Sequence, residues 1–201
     1  MLADRQTAGR LLAEKLTHIE DPVVIAIPTG GVVVGSAIAD TLGCPLDVAF
    51  VHTVPHPENT AYAIGIASSE GVMIHGAASV PPEYVERTVR RICAAIFAQR
   101  DRYYRMREPV RIAGKTPIIA DDGSAGLTTL VAAANFLRKR DPKRICIAMP
   151  VASQGMVEHL GFFADEMICL NTPESAREAR EYYERFEEVS EDEAVRLFER
   201  R

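Results

Sequence analysis

The sequence lacks the features that mark several large classes of protein. Its four cysteines lie far apart in the chain, at Cys44, Cys93, Cys146 and Cys169. No two of them have the CxxC spacing of zinc ribbons and redox motifs, so we expect buried, reduced thiols in a cytosolic protein. The sequence also has no excess of basic residues, since its net charge is −5 and its pI is about 5.6. This balance argues against a nucleic-acid partner.

Long apolar runs are also absent. The apolar run 23–39 contains no charged residue, but it is shorter than the roughly 20 residues that cross a bilayer. Pro28, Gly30 and Gly31 interrupt it, so a strand, a turn and a helix explain it better than a membrane span does. Residues 1–16 carry too many charges for a secretion signal. We therefore expect a single cytoplasmic domain of 201 residues with no membrane partner.

Apolar runs of strand length alternate with segments of helical periodicity along the chain. The strands predicted for the core are 23–28, 45–51, 117–121, 144–151 and 166–170. The predicted helices are 2–16, 32–42, 82–107, 127–138, 156–160, one that begins at 172–174, and a last one that Ser190 caps together with Glu193. This alternation predicts an α/β fold with a mostly parallel sheet flanked by helices. Residues 61–76 have the pattern of a β-hairpin outside that sheet.

Ligands of open parallel sheets bind beyond the carboxyl ends of the strands. Four predicted loops lie there, after Pro28, Val51, Asp122 and Val151, and we expect them to converge on one crevice.

The Asp122 loop has the composition of an anion site. Asp121 and Asp122 follow an apolar run, and the segment Gly123, Ser124, Ala125, Gly126, Leu127, Thr128 and Thr129 leads into a helix. Glycines allow close backbone approach, and the free N–H groups of a helix start favour phosphate. Carboxylates suit sugar hydroxyls or Mg²⁺. The combination predicts a phosphorylated sugar, although the two aspartates could equally only cap the following helix.

A second glycine pair, Gly30-Gly31, precedes the predicted helix at 32–42. It could hold another anion, or it could only allow that helix to pack closely on a strand.

Several longer stretches extend these motifs. They are DRQTAGRLLAEKL (4–16), VVIAIPTGGVVVGSAIADTLGCPLDV (23–48), PHPENTAYAIG (55–65), GKTPIIADDG (114–123), RICIAMPVAS (144–153) and EYYERF (181–186). With these stretches in this order, the sequence resembles type I phosphoribosyltransferases. It is most similar to a branch of small bacterial and archaeal phosphoribosyltransferase-like proteins.

That resemblance implies a parallel sheet with a hood, and transfer of 5-phosphoribosyl from phosphoribosyl pyrophosphate, with Mg²⁺, to a nitrogen acceptor. By position, Asp121 and Asp122 would be the catalytic residues that face the ribose hydroxyls, and residues 123–129 would wrap the 5-phosphate. Thr29, Gly30 and Gly31 would form the pyrophosphate loop, and residues 54–76 a mobile flap. The resemblance also implies a homodimer. Residues 172–201 would form a C-terminal helical segment.

The sequence departs from this branch at the predicted pyrophosphate site. Thr29 replaces the arginine of a Pro-Arg-Gly-Gly loop, and His52-Thr53 replaces an Arg-Lys pair. Positive groups of the protein that contact a leaving anion contribute strongly to such catalysis, and charge-assisted hydrogen bonds contribute about 1.5–3 kcal/mol each. The sequence therefore predicts a degenerate pyrophosphate site, with weakened activity.

The phosphate loop departs as well, and it can be aligned with the branch pattern in two ways. Without a gap, Leu127 takes the place of a glycine, at a cost of about 1–2 kcal/mol if that backbone is left-handed. With a one-residue deletion, Gly126 and Thr128 keep their roles in a tighter loop.

Other cations could compensate for those lost. His52 and His56 could form a metal site, and His75 could become protonated, although surface positions explain them equally well. The arginines of the 82–107 helix could reach the crevice or pair with acids on its solvated face; they are Arg87, Arg90, Arg91, Arg100, Arg102 and Arg105.

Three functions remain open from the sequence. The first is a working phosphoribosyltransferase of unknown acceptor, and the second is a non-catalytic regulator that binds ribose 5-phosphate or a nucleoside monophosphate. The third is a structural module whose site has decayed.

Overall fold

A computed structural model describes residues 1–60, 62–175 and 178–200. Its strands are β1 (Pro22–Ala26), β2 (Leu46–Val48), β3 (Val51–Pro55), β4 (Ala63–Ser68), β5 (Gly71–Ile74), β6 (Thr116–Ala120), β7 (Cys146–Val151) and β8 (Glu166–Asn171). Its α-helices are α1 (Arg5–Lys15), α2 (Gly30–Leu42), α3 (Pro82–Tyr103), α4 (Leu127–Arg138), α5 (Gln154–Leu160) and α6 (Glu191–Glu199), and a short 3₁₀ helix spans Ala179–Tyr182.

The core is a five-stranded parallel sheet in the order β2-β1-β6-β7-β8, which confirms the predicted fold class. Alternate residues of each strand face opposite layers of helix. Val24 and Ile118 pack with α1, α2 and α6, whereas Ile25 and Ile119 pack with α4 and α5. Because both faces are covered, the strands are nearly continuous apolar runs, and this is why the sequence reveals them.

The second sheet is antiparallel and consists of β3, β4 and β5. It contains the predicted hairpin, as β4 and β5. The strand predicted at 45–51 is corrected here, because β2 ends at Val48 and Val51 already belongs to β3. A continuous apolar pattern does not show where a chain leaves one sheet and enters another. Movement of residues 54–76 as a flap stays a prediction.

The two chain ends meet in what we call the terminal hood, residues 2–5 and 182–187. The Leu2 N–H donates to the Tyr182 carbonyl, and the Glu184 N–H donates to the Leu2 carbonyl, both at 2.8 Å. Leu2 and Tyr183 are buried together. The first helix therefore begins later than the predicted 2–16, at Arg5, with the Asp4 carboxylate accepting from the Thr7 N–H as its N-cap.

The helix predicted to begin at 172–174 is also corrected. Residues 172–175 form no helix, residues 176 and 177 lie outside the described part of the chain, and the 3₁₀ helix Ala179–Tyr182 follows. The Pro173 carbonyl instead accepts from the Gln154 N–H at 2.9 Å, and residues 182–185 pair with the N-terminus. The predicted last helix is present as α6, whose Glu193 N–H donates to Ser190 Oγ at 3.2 Å.

Among the described residues, none of the helices combines the length and apolarity that a bilayer crossing needs.

Candidate active site

Asp121 and Asp122 follow the carboxyl end of β6, and both are almost completely buried, with 2% and 1% exposure. The Asp121 carboxylate accepts from the backbone N–H groups of Gly123 (2.8 Å) and Ala125 (2.9 Å). These bonds fold residues 121–125 into a tight turn. They do not cap α4, whose N-cap is Gly126 and receives no side-chain bond.

Asp122 is held by partners from both ends of the chain. Its Oδ2 atom accepts from Arg5 Nε at 2.7 Å, and its Oδ1 atom accepts from the N–H and hydroxyl of Ser124. The Tyr183 hydroxyl donates to the backbone carbonyl of Asp122 at 2.8 Å. The terminal hood therefore contacts the Asp122 carboxylate through Arg5 and the Asp122 backbone through Tyr183.

Burial shifts the protonation of Asp121. Desolvation, reinforced by the charge of Asp122, raises the pKa of Asp121 to about 7. Burial also raises the pKa of the Tyr183 phenol, which therefore remains a hydrogen-bond donor. Of the two carboxylates, Asp122 is the one that pairs with a cation, the Arg5 guanidinium, so the negative charge is compensated there.

The Thr29-Gly30-Gly31 loop packs directly on the aspartates. A Cβ atom on Gly30 would lie 2.0 Å from Asp122 Oδ2, and one on Gly31 would lie 2.7 Å from the Ala120 carbonyl. The Pro28–Thr29 peptide bond is cis. The structure shows that this glycine pair allows close packing, because α2 begins against the ends of β1 and β6. Anion binding by the same loop stays a prediction.

The predicted phosphate loop leaves open space before α4. Gly123 has φ +98° and packs on Val151 at the end of β7. The end of β7, where the predicted loop after Val151 begins, therefore lies beside the loops after Pro28 and Asp122. Gly126 is exposed, and a Cβ atom there would meet nothing within 4 Å. Leu127 is the first residue of α4 and packs partly into the core. The Leu127 backbone is helical, so the free-energy cost of a left-handed backbone at leucine does not apply.

The fourth predicted loop is corrected, because Val51 begins a strand of the antiparallel sheet and does not end one of the parallel sheet. His52 is exposed on β3, and its Nε2 atom lies 3.4 Å from Gln99 Oε1 of α3. His56 Nδ1 accepts from the Glu58 N–H, and Thr53 is half-buried on β3. Across the described residues, no three metal-binding side chains cluster. A metal site formed by His52 and His56 stays a prediction.

Two arginines of α3 pair with acidic residues, and a third lies beside an aromatic ring. Arg90 pairs with Glu86, Arg102 pairs with Glu191 of α6, and the Arg100 guanidinium lies 5.4 Å from the Tyr104 ring. Such contacts agree with the interpretation of a solvated helix face.

Sequence reasoning missed Arg5, Tyr183 and Phe186. The Arg5 guanidinium lies 3.6 Å from the centre of the Phe186 ring, and its Nη1 donates to the Glu187 carbonyl at 2.7 Å. The only signal was their inclusion in the stretches 4–16 and 181–186 that carry the family resemblance. Nothing local in those stretches indicates that Arg5 would be buried beside Asp122.

Fold and site together define a class. A model of the family described as "Phosphoribosyl transferase domain" matches residues 3–178, and the chain belongs to this family.

Among individual proteins, the chain is similar to TT1426 from Thermus thermophilus, with 32% identity, a TM-score of 0.86, and coverage of 98% of this chain and 97% of that one. It is 29% identical to Rv0571c of Mycobacterium tuberculosis H37Rv, whose name proposes a phosphoribosyl transferase. That match covers 98% of this chain and 46% of the relative, so the chain spans about half the length of the curated relatives it matches. The purine phosphoribosyltransferase from Pyrococcus horikoshii Ot3 shares the fold, with 17% identity and a TM-score of 0.52.

Proposed function

We propose that this chain transfers 5-phosphoribosyl from phosphoribosyl pyrophosphate to a nitrogen acceptor, such as a base. The observation that carries the proposal is the contact between two loops at the carboxyl ends of β1 and β6. Gly30 touches the Asp122 carboxylate, so a loop suited to an anion adjoins one suited to a phosphorylated sugar.

Each part has a chemical role in this proposal. The N–H groups at the start of α4 and the open space at Gly126 would hold the 5-phosphate. Asp122 would accept from ribose hydroxyls, with Asp121 shaping the turn beneath it. The Thr29–Gly31 loop would face the pyrophosphate, which leaves the anomeric carbon as the acceptor nitrogen bonds to it. Since no group of three or more His, Cys, Asp or Glu side chains that could hold a metal occurs in the described part of the chain, Mg²⁺ would be bound mainly by the ligand's phosphates.

We further propose that turnover is weak, because Thr29, His52 and Thr53 supply no permanent cation. This favours a second candidate, a regulator that binds ribose 5-phosphate or a nucleoside monophosphate without turnover. Such a protein needs the phosphate loop and Asp122 but not the cations of the pyrophosphate site.

Isotope exchange between pyrophosphate and phosphoribosyl pyrophosphate, across a panel of bases with Mg²⁺, tests turnover. We expect exchange that depends on the base, and we expect Asp122→Asn to abolish it. Asp165→Asn is a matched control, because Asp165 pairs with Arg138 before β8, at the amino ends of the strands. Full exchange in Asp122→Asn would contradict the role given to this residue.

Thermal unfolding with ligands separates the candidates. A ligand at 100 times its Kd stabilises the folded state by about 2.7 kcal/mol. Stabilisation by phosphoribosyl pyrophosphate with Mg²⁺ supports the transferase, and stabilisation by nucleoside monophosphates alone supports the regulator. No response to either ligand would contradict both.

We also propose a homodimer, as the family resemblance implies. Light scattering coupled to gel filtration should give twice the 22.1 kDa mass of the chain. A mass of one chain at micromolar concentration would contradict this assembly.

A further inference from the structure

The strongest unassigned feature of the molecule is the buried ion pair between Arg5 and Asp122. These residues are 117 positions apart in the chain, and their side chains are only 10% and 2% exposed. Arginine is seldom buried to this degree without a specific partner. Here the guanidinium has three contacts, namely the Asp122 carboxylate, the Glu187 carbonyl and the face of the Phe186 ring.

The ion pair also lies against the predicted pyrophosphate loop. A Cβ atom on Gly30 would be 3.1 Å from Arg5 Nε and 2.0 Å from Asp122 Oδ2. The side chain of Asp122 is therefore confined by Arg5, by Gly30 and by Ser124, which donates to its other oxygen. Few orientations of the carboxylate satisfy all three neighbours.

We propose that Arg5 is a positioning residue, which fixes the Asp122 carboxylate for its ligand and fastens the terminal hood to it. The positioning of Asp122 for a ligand rests on the proposed function, whereas the attachment of the hood rests on the structure alone. Arg5 acts through Asp122, whose charge it compensates and whose direction it sets. The contact with Glu187 and Phe186 makes the same guanidinium the link between the site and the C-terminal part of the hood.

Ligand binding tests the first half of the proposal. Calorimetric titration with ribose 5-phosphate, and separately with phosphoribosyl pyrophosphate plus Mg²⁺, should show at least a tenfold loss of affinity in Arg5→Gln. The loss should be similar for both ligands, since both present the same ribose hydroxyls to Asp122. Arg5→Lys should recover part of it, because lysine restores the charge but not the planar fork.

The matched control is Arg185→Gln. Arg185 belongs to the same hood, but it pairs with Asp4 and its side chain is 67% exposed, so its replacement should leave both affinities unchanged. Three results would overturn the proposal. Tighter binding by Arg5→Gln would make Arg5 an obstacle to the ligand, and unchanged binding would make it purely structural. Loss of affinity for phosphoribosyl pyrophosphate alone would make it a pyrophosphate contact.

Hydrogen exchange in the ligand-free protein tests the second half. Arg5→Gln and Asp122→Asn should each speed amide exchange in residues 182–187, and the double variant should add little to either single one. Arg185→Gln should change this exchange less than Arg5→Gln does. Additive effects, or none, would overturn the link between site and hood. If the unaltered protein binds neither ligand, the proposed function and the positioning role fail, while this exchange still decides the link.

Discussion

Asp121 lies in a setting that favours its protonated form. Its pKa is raised from 3.8 to about 7 by burial first and by the charge of Asp122 second. Because the folded state binds this proton more tightly than the unfolded state does, the protonated carboxyl stabilises the fold. That stabilisation is complete below about pH 4 and is lost as the pH rises through about 7.

Replacement by the neutral isostere should remove this dependence. In Asp121→Asn the amide oxygen can still accept from Gly123 and Ala125, so we expect a free energy of unfolding that falls less between pH 4 and 8 than in the unaltered protein. Urea denaturation at a series of pH values measures it. Parallel curves for the two proteins would contradict the assignment.

Tyr103 carries a buried hydroxyl without a hydrogen-bond partner among the described residues. Its ring lies edge-on to Phe50 at 5.3 Å and to Phe198 at 5.4 Å. We expect Tyr103→Phe to keep these contacts and to leave the free energy of unfolding equal or higher, by up to about 1–3 kcal/mol. Tyr183→Phe is the contrast, because it removes a bond to the Asp122 carbonyl and should cost about 0.5–1.5 kcal/mol. A loss in Tyr103→Phe as large as in Tyr183→Phe, measured by urea denaturation, would oppose this view.

At the scale of elements, the start of α2 is fixed by what its glycines touch. Gly30→Ala would place a methyl group 2.0 Å from Asp122 Oδ2, so the helix or the carboxylate must shift. We expect a loss of about 1–3 kcal/mol in unfolding free energy and weaker ligand binding.

Gly155→Ala in α5 is the matched control for Gly30→Ala. A Cβ atom at Gly155 meets nothing within 4 Å, and alanine favours a helix, so stability should be unchanged or higher. Chemical denaturation and calorimetric titration of both variants check the pair. Equal behaviour of the two variants would show that the close packing of α2 on the aspartates has no energetic consequence.

At the scale of the whole molecule, the terminal hood closes the chain on itself over the candidate site. Leu2 is 8% exposed and packs with Ala8 and Tyr183. We expect Leu2→Ala to loosen this contact and to speed cleavage by trypsin after Arg180 and Arg185, because the released segment exposes its backbone. Leu11→Ala is the control. Leu11 is 38% exposed on α1, so its replacement should leave the cleavage rate unchanged. Equal rates for both variants would show that the hood does not depend on the N-terminus.

Much of this architecture was predictable from the sequence. The predicted strands at 23–28, 117–121, 144–151 and 166–170 overlap β1, β6, β7 and β8, because strands covered on both faces must be apolar throughout. The approach of Gly30 to Asp122 follows from the same prediction, since the carboxyl ends of parallel strands share one edge. Asp121, Asp122 and the glycine loops are found at that edge.

Other features were decided only by the tertiary structure. The change of sheet between Val48 and Val51, and the absence of a helix at 172–175, depend on pairing with distant segments that no local pattern encodes. The burial of Arg5 beside Asp122 is the clearest case. The sequence determines where charged residues occur and which runs are apolar, because these are local properties. Which charge meets which across 117 residues is decided by packing of the whole chain, since the ion pair forms only where the fold brings the N-terminus to the end of β6.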